Sequence, residues 1–253
     1  MKAARIDEIE RYITANRSVS LEELCGKFGI SKSTVRRDID TLASAGKIRK
    51  VYGGVCAPDP GTAHMPLLPF EERSIRNHEE KLAICRKAAS MVDPGDVIFI
   101  DTGTTCIHMI EYLADIPCTV ITNSLNVALK ALPHGNITLI TAPGRLNRKT
   151  WSFAGHDAGE YLSTLNIQKA FMAATGLTVK SGLTNASEDE YTVKKNVCRS
   201  SSHIYLLADH EKFGKAALYT YCQLKDITGI VTDCPPPDEF EVYCRTEGIE
   251  LIY

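Results

Sequence analysis

The chain has 253 residues, 44% hydrophobic and 24% charged, with a formal net charge of −2. That length suits one or two domains, and that composition suits a globular core, which excludes disorder as the main state. No run approaches the ~18 apolar residues of a membrane span, and Met1 to Tyr12 is charged without an apolar stretch, so the chain is expected to be cytoplasmic with no membrane partner.

The nine cysteines, at 25, 56, 85, 106, 118, 198, 222, 234 and 244, form no C-x-x-C pair. An odd count in a chain without a secretory leader does not suit a disulfide framework, so most are expected to be small buried hydrophobes. The seven histidines show no H-x-x-x-H spacing. No metal and no cofactor is expected.

Charge is split along the chain. Residues 1–55 hold eleven Lys and Arg against seven Asp and Glu, a net of +4, and residues 56–253 carry a net of −6. Such asymmetry suits a nucleic-acid-facing piece joined to something else, although a solvated helix pair would give it too. Between Cys56 and Phe70 lie Pro58, Pro60, Pro66 and Pro69, with Gly61 among them. Proline fixes φ and removes donors, so this stretch reads as a stiffened linker. The expected organisation is a domain over 1–56, a linker over 57–70 and a domain over 71–253.

In the first domain, Ile6, Ile9 and Ile13 fall on one helical stripe. Ser20 followed by Glu23 is a capping box, and Leu21, Leu24, Cys25 and Phe28 give the apolar face of a short second helix. Gly29 stops it and Ser31 caps a third helix, whose inner face is Val35, Ile39 and Leu42 and whose end is Gly46. Two short amphipathic helices across so tight a turn predict a helix-turn-helix. The outer face of the third helix carries Ser33, Arg36, Arg37 and Asp40, with Thr34 at its flank, and Lys32 beside Ser31 is a further DNA-contact candidate. Hydroxyls near the start and two arginines suit a major groove; a polar surface helix with an Arg36–Asp40 pair would look the same. Lys47 to Val55 then reads as a basic hairpin, or wing, with Lys47, Arg49 and Lys50 meeting phosphates.

Arg5-x3-Ile9-x3-Ile13, seventeen further residues and then Ser31-x2-Thr34-Val35-Arg36-Arg37-Asp38-Ile39, with Gly53-Gly54 after the wing, resemble the DeoR-type bacterial repressors. The resemblance implies binding of double-stranded operator DNA through the helix bearing Ser33, Thr34, Arg36 and Arg37.

The second domain alternates strand and helix. A long helix is expected over Glu71 to Val92. Strands are expected at Val97–Ile100, Cys118–Thr122, Ile137–Thr141, Ala170–Ala173, Ile204–Ala208 and Ile230–Thr232. This pattern predicts an α/β sensor domain, a mostly parallel sheet with helices on both faces, behind a smaller winged helix-turn-helix. Ligands of such sheets sit beyond the carboxyl ends of the strands. There the sequence has Asp101-Thr102-Gly103-Thr104-Thr105, Thr122-Asn123-Ser124, Gly144-Arg145 and Asp209-x2-Lys212. Amides, hydroxyls, Arg145 and Lys212 suit an anionic polyhydroxy ligand. An ordinary strand-loop-helix turn at Gly103 is the plainer reading.

The same resemblance runs on through Phe70-x2-Arg73, Glu80-Lys81, the Asp101 loop, Thr122-Asn123-Ser124, Phe153-x-Gly155, Gly182-Leu183-Thr184, Glu190 and Asp209-x2-Lys212-Phe213-Gly214. It implies a fold similar to ribose-5-phosphate isomerase and CoA transferases. It also implies a pocket for a phosphorylated sugar or related metabolite and repression, here of a carbohydrate-utilisation operon, while two operator half-sites a helical turn apart predict a homo-oligomer. One departure is Pro143-Gly144, where the family has two glycines; proline offers no amide to a ligand.

Glu188, Asp189 and Glu190 with Lys194 and Lys195 are acid/base candidates, or a solvated helix face with a Glu190–Lys194 pair; the latter is expected. Cys106 sits where a helix start would lower a thiol's pKa, but a buried structural thiol is expected. Two functions stand from the sequence. One is a transcription factor without catalysis; the other is a sugar-phosphate isomerase or transferase with an appended winged helix, using Glu190 or Asp209 as base.

Overall fold

A computed structural model describes residues 2–16, 18–44, 47–51, 54–56 and 70–253. They fall into two compact units, Met1–Pro66 and Leu67–Tyr253.

The first unit runs α1 (Lys2–Asn16), β1 (Ser18–Ser20), α2 (Leu21–Phe28), α3 (Lys32–Ser44), β2 (Arg49–Val51) and β3 (Gly54–Cys56). Ser20 caps α2, accepting from Glu23 N at 3.1 Å, a bond whose loss costs ~1 kcal/mol. Gly29 ends α2 at φ 62°, a left-handed conformation that costs glycine nothing. The expected end of α3 at Gly46 lies outside the described residues. Ile9, Ile13, Leu24, Val35, Ile39 and Leu42 make the core, joined by Val19, Ile48 and Val55 from the strands. The wing forms, and β1 adds a third strand that the sequence reading missed; the order is β1-β3-β2, all antiparallel.

The second unit opens with α4 (Phe70–Ile75) and α5 (His78–Ala89). The single helix expected over 71–92 is broken, because Asn77 stands between them at φ 49°. Phe70, expected in the linker, is already helical; residues 57–69 lie outside the described residues. Then follow β4 (Val97–Ile100), a 3-10 helix (Cys106–Tyr112), β5 (Cys118–Thr122), α6 (Leu125–Ala131), β6 (Ile137–Thr141), β7 (Arg145–Asn147) and β8 (Ser152–Ala154). After them come α7 (His156–Ser163), β9 (Ile167–Ala173), β10 (Gly176–Thr178), β11 (Gly182–Asn185), α8 (Glu188–Ser200) and β12 (Ser201–Leu207). A 3-10 turn (His210–Lys212), β13 (Tyr219–Cys222), β14 (Gly229–Val231), α9 (Asp238–Glu247) and β15 (Glu250–Ile252) complete it.

Seven parallel strands form the main sheet in the order β15-β14-β12-β9-β4-β5-β6. Side chains alternate across it as the pleat requires. Ile98, Ile100, Phe171, Tyr205 and Leu207 meet α5, the 3-10 helix and α6. Phe99, Ala170, Met172, Ile204 and Leu206 meet α7, α8 and α9. The chain builds outward from β4 through β5 to β6, then returns to the other side of β4 with β9. That reversal makes the ends of β4 and β9 the switch point at which open α/β sheets take their ligands. Two small antiparallel pieces sit beside the sheet: the β7–β8 hairpin and the β10-β11-β13 sheet.

Candidate functional site

In the first unit the outer face of α3 is as expected at its start. Ser31 Oγ lies 3.0 Å from Ser33 Oγ and 2.9 Å from Thr34 Oγ1, and accepts from Thr34 N at 3.3 Å. Arg36 and Arg37 are exposed and make no ion pair among the described residues. The Arg36–Asp40 pair does not form, because Asp40 takes Lys50 from the wing instead. Lys47 is paired with Glu10 at 2.6 Å and Lys32 with Glu22 at 3.0 Å. Two expected phosphate cations, Lys47 and Lys50, and the DNA-contact candidate Lys32 are thus already engaged, in surface pairs that water and salt open readily. The backbone of Arg49 lies in β2; its side chain is outside the described residues. Asp38 is buried and grips Arg5 through two bonds of 2.8 and 3.2 Å, fastening α3 to α1.

In the second unit the expected strand-end groups gather along one edge, since β12, β4, β5 and β6 are parallel. Their roles differ. Asp101 faces inward. Its carboxylate accepts from Thr102 N at 2.7 Å and from Ala173 N at 2.8 Å, and pairs with Lys194. Held by three donors, Asp101 anchors the loop. Gly103 packs on β9, where a Cβ would come 2.6 Å from that of Ala173; this, rather than ligand approach, requires glycine. Thr104 and Thr105 are buried beside it. The loop leads into a 3-10 helix, not the α-helix that the anion-cradle reading expected.

Thr122 Oγ1 donates to Ile100 O at 2.6 Å, and Ser124 Oγ caps α6 by accepting from Val127 N at 3.3 Å, so both hydroxyls serve the fold. Asn123 differs. Its Nδ2 donates to Phe153 O at 3.2 Å, which fixes the amide, and its buried Oδ1 has no donor among the described residues. Such an orphan costs ~1–3 kcal/mol. Gly144 and Arg145 are exposed; Arg145 lines a cleft of about 420 Å³ with Arg148, Lys149 and Asp189.

The acidic run is corrected most. Glu190 and Lys194 are both buried and do not pair with each other as a solvated face would. Glu190 accepts from Ser152 Oγ at 3.3 Å and Asn185 Nδ2 at 3.1 Å; Lys194 donates to Asp101 and to Ala173 O. Burial works against the charge on Lys194, but Asp101 and Glu190 outweigh it and raise its pKa. Burial raises Asp101 in turn, against the pull of Lys194 and the Ala173 amide. Thr102 Oγ1 donates to Thr150 O at 3.2 Å, drawing the β7–β8 hairpin over the loop.

At the far end of this edge lies a knot of cations. Lys81, 2% exposed, donates to the carbonyls of Arg73 and Arg76, and it feels Lys212, Arg73 and Asp209 electrostatically. Burial, opposed by Asp209 and reinforced by Lys212 and Arg73, brings its pKa down to about 8. Burial lowers Lys212 and Arg73 as well, though Asp209 and Glu190 respectively pull them up. Lys212 makes no ion pair among the described residues, and Asp209 caps its turn by accepting from Glu211 N at 3.1 Å. Arg73 and Lys81 were legible as motif residues, but nothing in their spacing assigned them a role here.

Cys106 is buried, and burial pushes its thiol well above the ordinary value rather than below it. His210, Asp233 and Cys234 bring potential metal-ligand atoms within 4.8 Å of one another. His210 Nδ1, however, already bonds Asp233 at 2.7 Å, and the same carboxylate accepts from His210 N at 2.8 Å, which makes it a clamp between β12 and β14. Among the described residues no helix is long and apolar enough to cross a membrane.

Two family models match the chain: the DeoR-like helix-turn-helix domain over residues 5–60, and the DeoR C terminal sensor domain over residues 76–234. The HTH-type transcriptional regulator IolR of Bacillus subtilis is 44% identical over 99% of each chain. The lactose phosphotransferase system repressor of Staphylococcus aureus is 30% identical over 95% of each. Among solved structures, ribose 5-phosphate isomerase A from Methanocaldococcus jannaschii is similar at a TM-score of 0.41 and 20% identity, over 54% of this chain and 55% of that one. These curated relatives are named as regulators and repressors, not as enzymes.

Proposed function

The chain belongs to the DeoR family of transcriptional regulators, and on that premise we propose that it represses a carbohydrate-utilisation operon and leaves its operator when a phosphorylated sugar or related metabolite occupies the strand-end site. Residues 1–56 bind the DNA, with the chain in the cytoplasm. Ser31, Lys32, Ser33, Thr34, Arg36 and Arg37 enter or flank the major groove, and Lys47, Arg49 and Lys50 touch phosphates. Two operator half-sites a helical turn apart call for two-fold symmetry, so residues 71–253 carry a homo-oligomer as well as the effector.

The observation that carries the effector reading is the cation knot. Arg73, Lys81 and Lys212 share one partly buried corner with Asp209 and Glu211, and burial brings the Lys81 pKa down to about 8. A phosphate dianion there meets side chains of opposite sign. Asn123 Oδ1 adds a place for a ligand hydroxyl, which selects a sugar over bare phosphate. Thr104, Thr105, Gly144 and Arg145 line the approach, while Asp101, Gly103, Thr122 and Ser124 hold the frame.

The test is a thermal-shift screen of phosphorylated sugars on the full chain. A ligand that binds the folded state at 100 times its Kd stabilises by ~2.7 kcal/mol. One or a few compounds should raise Tm, and their unphosphorylated forms should not; equal shifts from both forms would remove the cation knot from the account.

A further inference from the structure

Strands β12 and β14 are parallel neighbours, with Leu207 opposite Val231 at their carboxyl ends. Just beyond that row the turn after β12 carries His210, and the segment after β14 carries Asp233 and Cys234. The sheet therefore brings together side chains that lie 23 positions apart in the sequence. A ring nitrogen, a carboxylate oxygen and the thiol sulfur of these three residues all lie within 4.8 Å of one another. Among the described residues no other three His, Cys, Asp or Glu side chains gather their ligand atoms so closely. Hydrogen bonds fix the donors. Asp233 Oδ1 accepts from His210 N at 2.8 Å and from Thr232 Oγ1 at 3.3 Å, and Oδ2 faces His210 Nδ1 at 2.7 Å. Asp209 caps the turn that holds His210. Pro235, Pro236 and Pro237 follow Cys234, and their fixed φ stiffens the chain where it leaves the cluster. The imidazole is half exposed, so the cluster is open to solvent on that side.

We propose that His210, Asp233 and Cys234 form a binding site for a divalent cation of the zinc class. The donor set selects the ion. One nitrogen, one sulfur and one oxygen suit a borderline-soft metal, whereas magnesium and calcium take oxygen ligands. Thiolate and carboxylate together carry two negative charges, which cancel those of the cation, and a neutral imidazole completes the set. Three protein ligands leave the fourth tetrahedral corner to water. The ion sits between His210 Nδ1 and Asp233 Oδ2, in place of the proton they share. The imidazole then keeps its proton on Nε2, and the thiol gives its proton to solvent as the sulfur–metal bond forms. The 2.7 Å contact must open to about 3.3 Å, the spacing of two donors on one tetrahedral ion. Rotation of the half-exposed ring supplies that movement. Asp233 Oδ1 keeps its bond to His210 N throughout, so the clamp between β12 and β14 survives and the hydrogen-bonded form prepares the seat.

The experiment uses the full chain, stripped with EDTA, kept reduced with a phosphine and titrated with cobalt(II) and then zinc(II). A cobalt–thiolate bond gives a charge-transfer absorption in the near ultraviolet. One equivalent of cobalt should produce that band and one equivalent of zinc should erase it. Zinc should also raise Tm, because it binds the folded chain, and magnesium should not. Cys234→Ser should lose the band although the other eight cysteines remain. His210→Gln should weaken cobalt binding by about tenfold or more. Neither residue is among the DNA-contact or effector candidates, so metal-free Tm and operator binding should stay as they are. If Cys234→Ser does not fold, His210→Gln carries the comparison. No band at stoichiometric cobalt, a band that survives in Cys234→Ser, or cobalt affinity unchanged in His210→Gln would overturn the site.

Discussion

The ammonium of Lys194 rests on the carboxylate of Asp101, a residue 93 positions away, and both are walled off from solvent. The pair joins α8 to the loop after β4, at the point where the sheet reverses. Removing one partner of a buried pair strands the other, at a typical cost of ~3–5 kcal/mol. Lys194→Met is therefore expected to lower the urea unfolding free energy by about that much. Adding Asp101→Asn should restore part of the loss, because the orphan charge is gone, while the single amide oxygen keeps one of the two bonds that the carboxylate accepts from Thr102 N and Ala173 N. A single-variant loss below ~1 kcal/mol would mean that the pair opens to water.

Effector recognition divides between charge and shape. Lys212→Met should abolish stabilisation by inorganic phosphate and by sugar phosphates alike. Asn123→Ala should weaken only the sugar phosphates, by roughly tenfold, since one hydrogen bond to a neutral group is worth ~1–1.5 kcal/mol. Calorimetric titration of both ligand types into both variants checks the division. Thr104→Asp, which sets a carboxylate beside the loop, should abolish the response to effector by repelling it.

Anion binding should also depend on pH in a stated direction. The folded pKa of Lys81 is lowered from 10.5 to about 8. Between those values the unfolded chain holds the proton and the folded chain has released it, so this group makes stability rise with pH over that window. Binding runs the other way, because only the ammonium attracts an anion. Sulfate, which does not titrate there, should stabilise the chain well below pH 8 and lose that effect as pH rises through it. In Lys81→Gln the sulfate effect should be small and flat, as read by Tm against pH.

How much of this the sequence disclosed follows from periodicity. The helix-turn-helix was legible because Ile9, Ile13, Val35, Ile39 and Leu42 recur at helical spacing, and the buried strands because they are continuous apolar runs. The edge strand β1 was not legible: its three residues, Ser18 to Ser20, carry one apolar side chain. The break at Asn77 hid for a different reason, since apolar spacing persists on both sides of it. Glu190 and Lys194 were misread as a solvated pair because i, i+4 opposite charges look alike on a surface and in a core. Only the sheet order, which brings α8 over the β4 loop, tells them apart. Arg73 and Lys81 come together across the elbow, a contact that no local pattern encodes.

On the DNA face, Arg37→Ala and Arg36→Ala should each weaken operator binding while leaving Tm unchanged, by ~1–3 kcal/mol where a base edge is read. Asp40→Ala should do the opposite. It releases Lys50 from its ion pair and removes a negative charge from the groove-facing side. Affinity for unrelated duplex should rise, and the slope of log K against log salt should steepen by about one phosphate contact. Gel shifts at several salt concentrations decide this.

The most direct test joins the two units in one titration. A duplex selected by the chain from a random pool is labelled, and its anisotropy is followed against salt and then against a panel of phosphorylated sugars. Affinity should fall linearly in log–log with salt, and one phosphorylated compound should weaken it 5–150-fold, the range of a ~1–3 kcal/mol coupling. Duplex affinity indifferent to salt, or unchanged by every compound that raises Tm, would contradict the account.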